Sequence, residues 1–126
     1  MQLQEFINKA RARKDNEVKV IKIEIKDIGA VEFTRPDNKK ILEYMEKADK
    51  EDLSVTEMFG LTKEMLYLNC PVLQKKEVRE EFKPNNPYDL VTDLFGIHET
   101  TDIMEKFMKG FGLDEEEKKN EEEIKN

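Results

Sequence analysis

Cysteine and histidine each occur once in the 126 residues, as Cys70 and His98. A lone cysteine closes no internal disulfide, and the pair together falls short of the four ligands of a structural zinc site. A disulfide scaffold and a zinc fold are thereby excluded. Tryptophan is absent, and the five glycines stand singly rather than in a phosphate-cradling loop. No apolar run approaches the ~20 residues that span a bilayer, and residues 1–14 lack the apolar centre of a signal peptide. The expectation is a cytosolic chain that does not enter membranes. Positive charge is also in deficit: 22 basic residues against 29 acidic ones leave a net charge of −7. Such a balance opposes a phosphate-neutralising surface, so nucleic acid is not an expected partner.

What is present is charge and periodic apolar residues. Charged residues make up 40 % and hydrophobic ones 37 % of the chain, but the apolar positions are grouped, so one folded domain over residues 1–113 is expected. Leu3, Phe6, Ile7 and Ala10 form one stripe of a short helix, with Arg11, Arg13 and Lys14 towards its carboxyl end, where the helix dipole favours them. From residue 17 the period changes to two. Ile21, Ile23 and Ile25 alternate with Lys22, Glu24 and Lys26, a turn follows at Asp27-Ile28-Gly29-Ala30, and Val31 and Phe33 resume the alternation. This predicts a β-hairpin with strands at residues 17–26 and 30–34. Val18 and Val20 are out of phase with it, which calls for a bulge near Val20 or for cover on the second face.

Beyond the hairpin the pattern is helical. Ile41, Leu42, Met45 and Ala48 trace a stripe to about residue 49, and Ser54 with Glu57 has the spacing of a capping box. Leu53 and Met58 stand where a hydrophobic staple would, so a helix should start within a residue of Ser54. Met58, Phe59, Met65, Leu66 and Asn69 continue it to a stop at Pro71, with Gly60 as a break point. A shorter helix is expected over residues 74–82. Asn86 and Pro87 have the character of cap and first helical position for the next, whose inner face is Leu90, Val91, Leu94 and Phe95. After Gly96 a final helix carries Ile103, Met104, Phe107, Met108 and Phe111, loosened at its end by Gly110 and Gly112. Residues 114–126 hold seven acids, three lysines and one apolar residue, Ile124, and read as a solvated acidic tail. The fold class is therefore α+β: a mostly α-helical bundle with one amino-terminal β-hairpin.

Catalytic readings are weak. His98 beside Glu99 invites a general base, but no nucleophile or second partner is indicated, and a histidine at a helix start accounts for it. Cys70 precedes Pro71 without a basic neighbour to lower its pKa, so a hydrolase built on Cys70 and His98 is the least supported reading. Paired acids such as Glu80-Glu81 sit among other charges and read as solvated faces. No cofactor or metal is expected. What stands out is apolar: six methionines and seven phenylalanines. Met58, Phe59, Met65, Met104, Phe107 and Met108 are candidates either for the core or for an adaptable partner-binding groove.

The order of these segments resembles the phage tail assembly chaperones of the XkdN-like family, from long-tailed phages and prophages of Gram-positive bacteria. The resemblance runs through the amino-terminal helix, the hairpin ending at Phe33-Thr34-Arg35-Pro36, and the helix with Ile41 and Leu42. It is fullest in Leu66-Tyr67-Leu68-Asn69-Cys70-Pro71-Val72-Leu73, the Phe82 region, Pro87-Tyr88-Asp89-Leu90-Val91, Leu94-Phe95, Glu99 and the last helix closing at Gly110. It implies a non-enzymatic protein of the host cytoplasm that coats the long helical tape measure protein and helps recruit tail tube subunits. Such chaperones often have a longer frameshifted form, of which this chain resembles the short product. The competing expectation is a tail completion or connector protein that stays in the virion. Self-association is also expected, through the hairpin edges that Lys19, Lys22, Glu24, Lys26 and Glu32 guard, or by exchange of the amino-terminal helix.

Overall fold

The computed structural model describes residues 1–114. Six α-helices and a two-stranded antiparallel hairpin make up this part of the chain, an α+β fold that is mostly helical. The hairpin is not at the very amino terminus: helix α1, Leu3–Asp15, precedes it. Strands β1, Val20–Ile25, and β2, Gly29–Thr34, pair in unbroken register from Val20 opposite Thr34 to Ile25 opposite Gly29. The alternation sends Ile23, Ile25, Val31 and Phe33 into the core, while Lys22 faces Glu32 across the outer side. Neither expected explanation for Val18 and Val20 holds. The ladder has no bulge, both side chains are about half exposed, and Val18 lies before the strand, where its carbonyl accepts a hydrogen bond from Arg35. At the turn, Asp27 takes a left-handed conformation with φ 66° ahead of Gly29.

A hairpin this small needs a covering layer. Helix α6, Ile97–Gly110, supplies it: the Phe107 ring meets the Phe33 ring edge-on at 6.0 Å and the Phe111 ring at 5.0 Å. Gly110 does not loosen this helix. A Cβ there would stand 2.8 Å from Cδ1 of Ile21, so the bare backbone is what lets the strand lie against the last turn.

The remaining helices complete the bundle. Asp37 caps α2, Asn38–Ala48, by accepting from the Lys40 N–H at 2.8 Å. Helix α3, Val55–Leu68, starts with the capping box expected of Ser54 and Glu57. The Ser54 hydroxyl accepts from the Glu57 N–H at 3.1 Å, and the Glu57 carboxylate accepts from the Ser54 N–H at 3.4 Å. Helix α3 runs unbroken through Gly60 and ends before Pro71, after which a 3₁₀ turn, Pro71–Gln74, precedes α4, Lys76–Phe82. The helix expected over residues 74–82 is α4, which starts two residues later because Pro71 first opens a tight turn of its own. Likewise Asn86 caps a 3₁₀ turn, Pro87–Asp89, that feeds α5, Leu90–Phe95. Helix α3 packs against α2, α5 and α6, with Leu66, Leu90 and Val91 fully buried at the centre. The acidic segment expected as a tail lies, beyond Asp114, outside the described residues.

Helix α1 is the exception to this packing. Its apolar stripe was legible, and like α2 and α4 it has no buried residue, but unlike them it packs closely on no other element, and Leu3 and Phe6 are 75 % and 57 % exposed.

Candidate functional site

The six residues singled out as core or partner contacts divide between buried and accessible positions. Met65, Met104 and Phe107 are buried at 6 %, 8 % and 0 % exposure and belong to the core cluster. Met58 is 38 % exposed, and Phe59 and Met108 are half-buried. The division follows from where each helix overhangs its neighbours. The first two turns of α3 extend past the covered part of the bundle, so Val55 and Met58 reach the surface while Met65, two turns on, does not.

Two adjoining grooves result. The first lies between the start of α3 and the middle of α6, with Tyr44 of α2 at its side. It is an open depression of ≈ 320 Å³ walled by Val55, Met58, Phe59, Thr62, Thr101 and Met104. Apart from Glu105 at its edge its lining is uncharged. Val55, 74 % exposed, is the most accessible apolar residue in it. The second groove continues past Tyr44 and Glu105 along the ends of α2 and α6, about Met45, Ala48, Met108 and Leu113. It is wider and shallower, ≈ 850 Å³, and its rim carries Glu46, Asp49 and Asp114 as well. Glu105 is ion-paired with Lys109 at 3.4 Å on the exposed face of α6.

Chemically, the lining of both grooves is mostly apolar, with methionines in each. Thioether side chains adapt to differently shaped apolar partners, and the helical walls suit a helix laid between them. Burial raises the pKa of Tyr44, whose ring separates the two grooves. Sequence reasoning missed Tyr44, Val55, Met45 and Leu113. The only signal for Val55 was its place directly after the cap residue, where an apolar side chain has no intrahelical reason to exist.

Cys70 and His98 do not share an environment: Cys70 is wholly buried, and His98 is exposed in the first turn of α6. Burial pushes the Cys70 thiol up from 9.0 to about 11, with the N–H groups of Leu73 and Val72 pulling more weakly the other way. A raised thiol pKa leaves stability intact below pH 9 and removes it as the pH rises towards 11, because the unfolded chain ionises first. By pH 10 the wild type should lose about 1.4 kcal/mol relative to pH 8 through this group. Urea titrations at both pH values, run beside Cys70→Ala, isolate that loss from other titrations; an equal loss in the variant would refute it.

Among the described residues, no helix is long and apolar enough to cross a membrane, and no group of three or more histidine, cysteine, aspartate or glutamate side chains is placed to hold a metal ion. Comparison with protein-family models, with curated proteins and with solved structures finds no match for this chain.

Proposed function

We propose that this chain is a phage tail assembly chaperone, a non-enzymatic protein of the host cytoplasm that shields an amphipathic helix of the tape measure protein and helps bring tail tube subunits to it. The observation that carries the reading is the groove of Val55, Met58 and Phe59. Among the described residues, it holds accessible apolar side chains that the fold leaves uncovered. The order of segments that resembles the XkdN-like chaperones supports it as well. Net charge of −7 supplies the remaining requirement, since a chaperone bound to an apolar client must keep the complex in solution.

The test is co-expression with the tape measure protein of the same phage, which a gene of long helical coding pattern beside this one would identify. Wild type should keep that protein soluble and be captured with it. Val55→Asp combined with Met58→Asp places two charges in the groove at positions the core does not need. Capture should fall about ten-fold or more, while the thermal midpoint moves by less than about 4 °C. Equal capture by the double variant, or none by the wild type, would refute the proposal. Stoichiometric recovery of the protein from finished virions would make it a structural tail component instead.

A further inference from the structure

We propose that the segment received by the Val55 groove is a basic amphipathic helix, one that sets lysine or arginine beside its apolar stripe against Glu105 and Asp102 of α6. This rests on the reading of the groove as the client site and adds the client's charge and length. The apolar path is longer than the depression itself. Ile97, 63 % exposed, stands one turn before Thr101 on the same side of α6, and the half-buried Met108 stands one turn after Met104. From Ile97 to Met108 that side of the helix runs about 16 Å, or roughly three turns. A client helix of that length can lay one apolar stripe over it while also meeting Val55 and Met58 of α3.

Charge decides which amphipathic helix fits. Glu105 is the one charged residue in the lining and lies at its edge, and Asp102 is exposed one position past Thr101. Glu51 and Asp52 are exposed on the segment that leads into α3, where Lys50 is the single opposing charge. Lys109 pairs with Glu105 at 3.4 Å, but both side chains are more than half exposed, so the pair is weak enough for a client's cation to replace it. An acidic helix would bring its carboxylates up to these acids in a chain that already carries −7. A basic one gains twice. The field of the whole chain steers it towards the groove, and Glu105 and Asp102 then fix its register along α6.

Fluorescence anisotropy with two labelled synthetic helices tests it. Both are about four turns long and share one leucine stripe, but lysines flank the stripe in the first and glutamates in the second. The full-length wild type should bind the lysine-flanked helix about ten-fold or more tightly than the other, and high salt should narrow the difference. Asp102→Lys with Glu105→Lys, both exposed, should reverse the preference. Glu77→Lys with Glu81→Lys on α4 alters net charge equally and should keep the lysine-flanked helix ahead. Val55→Ser with Met58→Ser removes apolar contact without adding charge, and should weaken binding of the lysine-flanked helix by about ten-fold or more. If the wild type binds both helices equally and the serine variant loses both, the basic client is overturned while the groove remains a client site. If neither helix binds, or the serine variant binds as the wild type does, the groove reading falls and the basic client with it. Loss of the preference in the α4 variant to the same degree as in the α6 variant would also overturn the proposal, because net charge and not the groove's edge would then be selecting.

Discussion

Replacing Phe107 with alanine is expected to destabilise the protein by about 3–5 kcal/mol, the usual cost of emptying a fully buried aromatic site. The ring is completely excluded from solvent and is held between the edges of Phe33 and Phe111. It is the point at which the hairpin is fastened to α6. Its removal leaves a cavity that the hairpin cannot collapse into, because Gly110 and Ile21 already hold strand and helix at close approach. For a domain whose total stability is on the order of 5–15 kcal/mol, such a loss should lower the thermal midpoint by roughly 12–20 °C. The contrast is Phe6→Ala, which should change stability by less than about 0.5 kcal/mol because that ring covers no core. Urea denaturation of both variants decides the matter. Comparable losses would mean that α1 packs on the body, or that Phe107 is less central than its burial indicates.

Arg35→Ala should cost about 2–4 kcal/mol, more than a surface ion pair provides. The guanidinium is used on three sides: Nε reaches Glu17 at 2.8 Å, while Nη1 donates to the carbonyls of Val18 at 3.2 Å and Phe111 at 2.9 Å. Its plane also lies over the Phe111 ring, 5.9 Å from the centroid. One side chain thus ties the approach to β1 to the residue that closes α6. Removing it leaves the Phe111 carbonyl at a helix end without this donor. Lysine keeps the charge but not the planar fork, so Arg35→Lys should recover no more than about half the loss. Glu17→Gln should have a smaller effect, since that carboxylate is 46 % exposed. Hydrogen exchange should report faster opening of the last turn of α6 and of the start of β1 in Arg35→Ala. Unchanged exchange there, with stability within about 0.5 kcal/mol of wild type, would show that the three contacts are dispensable.

The features legible in the sequence are those decided within a few residues. Ser54 and Glu57 specify a helix start because both halves of the box lie in one turn, and Ile23, Ile25, Val31 and Phe33 specify a buried face because a strand alternates strictly. What a stripe does not contain is where its neighbours stop. Met58 and Met65 are seven residues apart on the same side of α3, yet one reaches solvent and the other does not. Helix α1 shows the same limit, since its period identified a helix but not that the body would leave it bare. Arg35 was legible only as the end of the hairpin, because its partners at Phe111 become neighbours only through the tertiary fold.

That last separation has a consequence for how the chain matures on the ribosome. Arg35 and Phe111 are 76 positions apart, and the hairpin's apolar face is closed by a helix in the last quarter of the described chain. At about 5–20 residues per second, synthesis leaves roughly 4–15 s between emergence of Phe33 and emergence of its cover. The turn at Pro71–Gln74, which packs on β2, emerges earlier, but the Phe107 ring that meets Phe33 comes only with α6. The charged residues of its other face, Lys22, Glu24 and Glu32, then oppose pairing of the unfinished ribbon with another chain.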